Sequence, residues 1–371
     1  MAFSVSSIKF MKLALLEAQK GLGRTAPNPV VGAVVVRGGK VVGRGHHRQA
    51  GSAHAEVLAL KAAGRAALGA DLYTTLEPCS HFGRTPPCSE AILRAGIRRV
   101  FVASRDPNPL VNGKGLRRLR QAGVQVVTGL LEAQADALNR PFFKCLATGL
   151  PWVVLKAAAT LDGKVATSSG ESKWITGAKA RQAAHRLRNE MDAVLVGSGT
   201  VLADNPRLTV RLAKGRGRNP LRIVLDSRLR LPLSRHLFGS ASEGKTVVVT
   251  LSGASKAKTQ ALEKRGVEVW RVPGKRGQLN LRWVLKRAAQ AGIRSVLVEG
   301  GPTVHAAFLR ARLADELILF VAPKVLGGKA LGWSGNLSVP RLKDAVAVGQ
   351  VQVEPCGEDT VVRGLFASRF P

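Results

Sequence analysis

The sequence predicts two α/β domains in tandem, divided close to residue 150. Three observations carry that prediction. The chain has 371 residues, about two domains' worth at roughly 100–200 residues each. Apolar runs of strand length alternate with segments of helical periodicity in both halves, the pattern of layered α/β folds. The segment Ala147-Thr148-Gly149-Leu150-Pro151 ends a helical stretch at a glycine and blocks its continuation with a proline. The expected domains are therefore 1–147 and 151–371.

The first half reads as follows. Residues 6–20 place Ile8, Met11, Leu15 and Ala18 at helical spacing, and Gly21 ends the helix. Strands at 31–36 and 41–42 flank Gly38-Gly39, a β-hairpin signal. A short helix over about 54–63, a strand over about 71–75, a long polar loop, a helix over about 88–95 and a strand at 99–103 come next. A helix after Gly115, a strand at 124–127 and a helix over 132–145 complete it. Beyond Pro151 a strand opens at 152–155, with further strands near 193–196, 221–225, 246–250, 267–271, 295–298 and 316–321. Helices are expected near 178–189, 281–291 and 303–310, and no internal repeat or low-complexity run interrupts them.

Composition narrows the class. Apolar residues at 45% supply a normal core, which excludes a disordered chain or a collagen. The apolar runs at 30–36 and 317–322 are far shorter than the roughly 20 residues of a membrane helix, so no membrane partner is expected. Cysteines stand only at 79, 88, 145 and 356, too few for a disulfide framework, and a reducing compartment, the cytoplasm, is expected. The N-terminus lacks a long apolar core and a cleavage site, so no secretory signal is read. It is Ser-rich and free of acid up to Glu17, a trait shared with transit peptides.

Lys plus Arg number 57 against 24 Asp plus Glu, a net charge of +33. The excess is spread, +13 over residues 1–150 and +20 over 151–371. It fits a nucleic-acid partner, an Arg-rich source, or steering of small phosphorylated ligands. Single-strand binders interleave aromatics for base stacking, and at 5% aromatic residues nucleic acid is the less favoured partner.

The sharpest chemical signal is His54-Ala55-Glu56, followed by Pro78-Cys79 and Cys88. One imidazole and two thiolates are good zinc ligands and leave a fourth tetrahedral position for water. Bound zinc lowers the pKa of that water to about 7. Glu56, two residues past the ligand, is placed to shuttle protons without binding metal. The arrangement H-x-E…P-C…C is a signature of zinc nucleobase deaminases. Both segments sit where helices begin, and the helix dipole there favours thiolates. A His-Glu pair opening a helix also serves as a plain capped terminus, and His81 offers a fourth ligand for a purely structural zinc site.

Nucleobase deaminases generally space the cysteines C-x-x-C, whereas eight residues separate them here. That insert carries a resemblance. Leu76-Glu77-Pro78-Cys79-Ser80-His81-Phe82-Gly83-Arg84-Thr85-Pro86-Pro87-Cys88 resembles the bifunctional deaminase/reductase family of riboflavin biosynthesis. So do Ala26-Pro27-Asn28-Pro29-Val30-Val31-Gly32 and Asp106-Pro107-Asn108-Pro109. The resemblance implies a cytidine-deaminase-like three-layer N-terminal domain with His54, Cys79 and Cys88 on zinc and Glu56 as catalyst. It also implies that Asn28 helps hold the pyrimidine, for which an amide's paired donor and acceptor suit; Asn-Pro is equally a turn.

Unaided, the second half says less. Gly21-Leu22-Gly23-Arg24-Thr25-Ala26 matches a dinucleotide fingerprint but follows a helix, where that fingerprint has no mechanism. Gly197-Ser198-Gly199-Thr200 and Glu299-Gly300-Gly301-Pro302-Thr303 each follow a strand. Either can meet a phosphate at a helix N-terminus or be an ordinary turn. The resemblance narrows the choice through Lys156-Ala157-Ala158-Ala159-Thr160-Leu161-Asp162-Gly163-Lys164, Gly170-Glu171-Ser172-Lys173-Trp174-Ile175-Thr176, Asp204-Asn205-Pro206-Arg207-Leu208 and Leu225-Asp226-Ser227. It implies a dihydrofolate-reductase-like α/β C-terminal domain that uses NADPH. Ala158, Trp174, Thr200, Asp204, Ser227 and the run Gly301, Pro302, Thr303, Val304, His305, Ala306, Ala307 would touch the nucleotide. Ser172, Arg188, Leu208, Arg211 and Glu299 would touch the sugar-phosphate substrate. Arginine forks suit phosphate oxygens, and Trp174 is expected to stack on a flat ring or to lie in the core. The acid-free stretch Arg211, Lys214, Arg216, Arg218, Arg222 reads as a solvated loop or as an attractor of phosphates.

The implied function is deamination of 2,5-diamino-6-(5-phosphoribosylamino)pyrimidin-4(3H)-one followed by NADPH reduction of the ribosyl side chain to ribityl phosphate. Lys156 and Asp204 are candidate proton donors for the second step, and a homo-oligomer is expected. The alternative from another class is an RNA- or DNA-editing zinc deaminase with a basic nucleic-acid-binding second domain, or a non-enzymatic zinc-stabilised nucleic-acid binder. The scarcity of aromatics and the even spread of charge stand against both.

Overall fold

The computed structural model describes residues 3–82, 86–213, 215, 217–239 and 243–367. Gly83, Arg84 and Thr85 of the cysteine-to-cysteine insert, and Lys214 and Arg216 of the basic stretch, lie outside the described residues. The chain forms two compact units, Met1–Ala147 and Thr148–Pro371.

The first unit holds α1 (Val5–Gln19), β1 (Gly32–Arg37), β2 (Lys40–His46), α2 (Ala55–Ala63), β3 (Asp71–Leu76), α3 (Cys88–Arg94), β4 (Arg99–Ser104), α4 (Lys114–Gln121), β5 (Gln125–Thr128) and α5 (Glu132–Thr148). Its sheet runs β2-β1-β3-β4-β5, antiparallel through β1 and parallel from β3 onward. Side chains alternate across a strand, and that alternation builds the layers. Ala33 and Val35 pack with Ala55 and Ala59 of α2, Ile92 of α3 and Leu119 of α4. Val34 and Val36 pack on the other face with Phe10, Met11 and Ala14 of α1 and Ala135 of α5. The result is three layers, helices over both faces of one sheet.

The second unit holds β6 (Trp152–Thr160), β7 (Lys164–Ala166), α6 (Ala178–Glu190), β8 (Ala193–Gly197), α7 (Ser198–Asp204), β9 (Leu221–Leu225), α8 (His236–Gly239), β10 (Thr246–Leu251) and α9 (Lys256–Glu263). Then come β11 (Glu268–Val272), β12 (Gly274–Lys275), β13 (Gln278–Leu279), α10 (Leu281–Gln290), β14 (Ser295–Val298), α11 (Pro302–Arg310), β15 (Glu316–Ala322), β16 (Leu331–Gly332), β17 (Val348–Cys356) and β18 (Asp359–Phe366). The main sheet runs β11-β10-β9-β8-β14-β6-β15-β18-β17. It is parallel from β11 to β15 and antiparallel across β18 and β17. Buried on both faces, its central strands are continuously apolar: Val153 and Leu155 enter one cluster, Val154 the opposite one, as parallel strands under helices require. Because these strands all run one way, their carboxyl ends share one edge, where ligands of open α/β sheets bind.

Sequence periodicity did not register α7, α9 or the β17–β18 hairpin. Strand β17 is mostly exposed and contains Gly349 and Pro355, residues that weaken a strand pattern.

Candidate active sites

In the first unit the sequence folds two helix starts toward each other. His54 is the N-cap of α2, and Cys88 opens α3 after Pro87. His54 Nδ1 lies 3.1 Å from Cys88 Sγ and 3.6 Å from Cys79 Sγ, and the three ligand atoms lie within 4.8 Å of one another. A tetrahedral zinc bonded to sulfur at about 2.3 Å and nitrogen at about 2.0 Å spaces its ligands by about 3.5–3.8 Å. The three residues fit that ion. Among the described residues no fourth His, Cys, Asp or Glu joins the group; His81 does not, although its Nδ1 is buried without a hydrogen-bond partner. The thiol and N–H of Cys88 hold the Cys79 thiol down to about 4, with His54 helping and burial opposing. Glu56, in the first turn of α2, is 3% exposed, and burial pushes its carboxyl up to about 7 against the pull of His54.

The loop before Cys79 is locked to α4. The Glu77 carboxylate accepts the N–H groups of Gly113 (3.0 Å) and Leu116 (3.4 Å). A Cβ on Gly115 would stand 1.9 Å from the carbonyl oxygen of Pro78, so only glycine lets α4 approach this closely.

Asn28 lies beside the cluster through His47, which sequence reasoning missed. The Asn28 amide nitrogen is 3.0 Å from His47 Nε2, and the buried His47 ring meets the His54 ring edge-on at 5.3 Å between centroids. His47 belongs to no motif; only the fold puts the end of β2 next to the start of α2. Burial pushes the Asp106 carboxyl up to about 6, and it accepts the Asn108 N–H at 2.9 Å.

The second unit carries a cavity of about 1240 Å³ along the carboxyl ends of its parallel strands. Ala158, Ser172, Trp174, Arg188, Thr200, Asp204, Leu208, Ser227, Glu299, Gly301, Pro302, Thr303, Val304, His305 and Ala307 line it, as does Lys156. Two nominated residues do not: Ala306 is buried in the wall, and Arg211 stands off the lining, its N–H donating to His185 Nδ1 at 3.3 Å. Burial, with Arg188 and Arg211, pushes His185 down to about 4, which keeps that nitrogen an acceptor.

On the floor, Arg188 donates from Nε and Nη2 to the two Glu299 oxygens at 2.6 and 2.8 Å, and from Nη1 to the Thr209 carbonyl at 3.1 Å. Lys156 Nζ is 3.9 Å from Glu299 Oε2 and 5.6 Å from the Phe320 ring centre. Burial alone would raise the Glu299 carboxyl; Arg188 and then Lys156 hold it down at about 2. Burial and Arg188 lower the Lys156 ammonium against the pull of Glu299. Ser172 Oγ donates to Asp204 Oδ1 at 3.4 Å. Trp174 is 68% exposed, with the Arg181 guanidinium 4.7 Å over its ring, so it is no core residue. His305 lies between the carbonyls of Trp333 (3.0 Å) and Val298 (3.4 Å).

Val304 explains the glycines. A Cβ on Gly300 would stand 2.6 Å from Val304 Cβ, and one on Gly197 2.7 Å from Val304 Cγ2. Both turns must be bare for α11 to sit down on them. α11 begins at Pro302, which has no N–H, with no side-chain cap; the N–H groups of Val304 and His305 bond the Gly301 carbonyl at 3.0 and 3.2 Å, and the helix start with the Thr303 N–H faces the cavity, where a dinucleotide pyrophosphate would lie. That cradle fits NADPH.

Two family models match the chain: the cytidine and deoxycytidylate deaminase zinc-binding region over residues 5–104 and the RibD C-terminal domain over residues 151–362. The riboflavin biosynthesis protein RibD of Aquifex aeolicus is 47% identical over 354 residues, 95% of this chain and 96% of its own. The Escherichia coli protein of that name is 42% identical over 365 residues, 94% and 96% of the two chains. A solved structure of Acinetobacter baumannii RibD superposes with a TM-score of 0.88 at 38% identity, covering 98% of this chain and 99% of its own. A Thermotoga maritima deaminase/reductase does so with a TM-score of 0.84 at 37% identity, covering 98% and 99%. These matches do not favour the nucleic-acid-editing alternative. The chain belongs to the RibD family, the bifunctional zinc deaminases and NADPH reductases of riboflavin biosynthesis.

Proposed function

We propose that residues 1–147 deaminate a phosphoribosylated diaminopyrimidine and that residues 151–371 reduce the ribosyl group of the product to ribityl phosphate. The Thermotoga maritima relative is described as a diaminohydroxyphosphoribosylaminopyrimidine deaminase/5-amino-6-(5-phosphoribosylamino)uracil reductase, which supports this substrate. The observation that carries the reading is the convergence of His54, Cys79 and Cys88 beside a buried Glu56.

His54, Cys79 and Cys88 hold zinc, which when bound supplies a Lewis acid that makes water a nucleophile near neutral pH. Asn28 orients the pyrimidine with its amide, itself held by His47. Glu56 accepts a proton from the attacking water and returns it to the departing amino group, which leaves as ammonia. Burial of Glu56 places its carboxyl where it can do both.

In the second domain NADPH supplies the hydride. Arg188 fixes Glu299, and Glu299 accepts hydrogen bonds from ribosyl hydroxyls. Of the two candidate donors, Lys156 is the better placed: it lines the cavity next to Glu299, and burial eases release of its proton. Asp204 already accepts from Ser172. Purified full-length protein should release ammonia from the diaminopyrimidine and oxidise NADPH only with the deaminated compound. Oxidation of NADPH without it, or no ammonia release from a zinc-loaded sample, refutes the assignment.

We also infer a homo-oligomer in the cytoplasm. Edge strand β17 supports the first, with Val351 53% and Val353 64% exposed. The second is supported by four cysteines that form no disulfide with one another. A monomeric mass by light scattering would remove the oligomer.

A further inference from the structure

Asn28 stands between Pro27 and Pro29, neither of which carries an N–H. Residues 25–31 belong to no helix or strand, and within them the Asn28 N–H donates to the Thr25 carbonyl at 2.9 Å. Just beyond Pro29, three consecutive residues are tied to three different parts of the first unit. The Gly32 N–H donates to Thr75 Oγ1 of β3 at 3.1 Å. The Val31 carbonyl accepts the N–H of His47, the residue after β2, at 2.9 Å. Val30 is tied to α5.

The tie to α5 is made by one side chain. Asn139 Oδ1 accepts the Val30 N–H at 2.8 Å, and Asn139 Nδ2 donates to the Val30 carbonyl at 2.9 Å. The amide thus exchanges both bonds with one residue's backbone, as a paired strand residue would. Asn139 is 1% exposed and lies one helical turn past Ala135, which packs against Val34 and Val36 of the sheet. At such a core-facing position an apolar residue would serve both helix and core better. A buried amide costs free energy unless it is hydrogen-bonded, and the two Val30 bonds offset that cost. Docking of α5 already rests on Ala135 and Leu138; what the asparagine adds is the placement of Val30.

We propose that Asn139 is a positioning residue for deamination: through Val30 it fixes the segment that aims the Asn28 amide at the pyrimidine. The inference rests on the reading of Asn28 as the group that orients the pyrimidine, and deepens it. Pro29, with its φ locked by the ring, is all that separates Val30 from Asn28, so a shift of Val30 is passed on to Asn28. The other end of the Asn28 side chain is set by His47 Nε2, 3.0 Å from its amide nitrogen. With Val30 released, that contact holds Asn28 from one side only. A misaimed Asn28 weakens the pyrimidine in ground and transition states alike, which raises KM and leaves kcat. His54 and Glu56 on α2 and Cys88 on α3 keep their own supports.

The test is steady-state ammonia release by the zinc-loaded full-length protein with Asn139→Asp, Asn139→Ser or Asn28→Ala. Asn139→Asp keeps an acceptor for the Val30 N–H and removes the donor to its carbonyl; Asn139→Ser is too short to make both bonds. Each should raise KM for the diaminopyrimidine about 2- to 10-fold, the worth of one neutral hydrogen bond, with kcat retained. Zinc content and reduction of pre-deaminated substrate should match wild type. Combined with Asn28→Ala, neither Asn139 variant should raise KM further, because a residue that acts through another is non-additive with it. Additive effects on KM would make Asn139 a general support of the fold and overturn the proposal. So would an unchanged KM, a fall in kcat at constant KM, or loss of zinc in both Asn139 variants. A wild-type KM in Asn28→Ala would overturn the role of Asn28 and the proposal with it, and a zinc-loaded wild type that releases no ammonia would overturn the deaminase reading itself.

Discussion

Replacing Gly115 by alanine should empty the metal site from a distance. Gly115 lies in the first turn of α4, and in an exposed helix the change to alanine would stabilise by about 1 kcal/mol. Here the sign reverses. The new Cβ would stand 1.9 Å from the Pro78 carbonyl oxygen, inside the 3.0 Å that real Cβ atoms essentially never cross. Either α4 or the Pro78 loop must therefore retreat by about 1.1 Å. Helix α4 is pinned by Leu116 and Leu119 in the core, so the loop moves against its Glu77 bonds to α4, and Cys79 with it. Metal ligands tolerate about 0.2 Å, and overpacking of this kind costs about 1–3 kcal/mol. Elemental analysis of Gly115→Ala should show well under one zinc per chain, with deamination lost in step. Reduction of pre-deaminated substrate should be unchanged. A Gly115→Ala protein with full zinc and full deamination would refute the reasoning.

Glu56→Gln should keep its zinc and lose deamination by about 10²–10⁴, the usual cost of a missing acid–base group; an emptied metal site would make Glu56 a ligand instead. The two units should work apart: residues 1–147 should deaminate without NADPH, and 151–371 should oxidise NADPH with deaminated substrate in a chelator. A folded second half that does neither binding nor reduction would count against the domain assignment. Glu299 is held at about 2 instead of 4.5, which contributes about 3 kcal/mol at neutral pH. A depressed carboxyl gives this stability above pH 4.5 and loses it as pH falls toward 2. The difference in melting temperature between wild type and Glu299→Gln should therefore shrink across that window, measured on 151–371; a constant difference would show that the charge on Glu299 carries no stability.

Much of this was legible in the sequence where pattern and burial agree. The central strands are buried on both faces and read as apolar runs; the metal ligands read as a motif because three residue types are needed at once. The element bounds shifted most where burial is one-sided or absent. Strand β17 owes its place to pairing with β18, not to an apolar pattern, and α7 is seven residues long, too short for a period to show. His47 was missed because its partnership with Asn28 depends on the chain's return through β2. Arg211 was nominated for the cavity, yet its backbone bond to His185 holds it beside the lining.

The three metal ligands span 34 positions of chain from His54 to Cys88. Joining such distant points removes loop-closure freedom from the unfolded chain, worth about 4 kcal/mol for a loop of this size. The ion is then a staple for the fold as well as a reagent, and zinc scarcity should deplete the deaminase half by unfolding it while sparing the reductase half. Calorimetry of the whole protein with and without chelator would read this directly, as one transition that falls and one that stays.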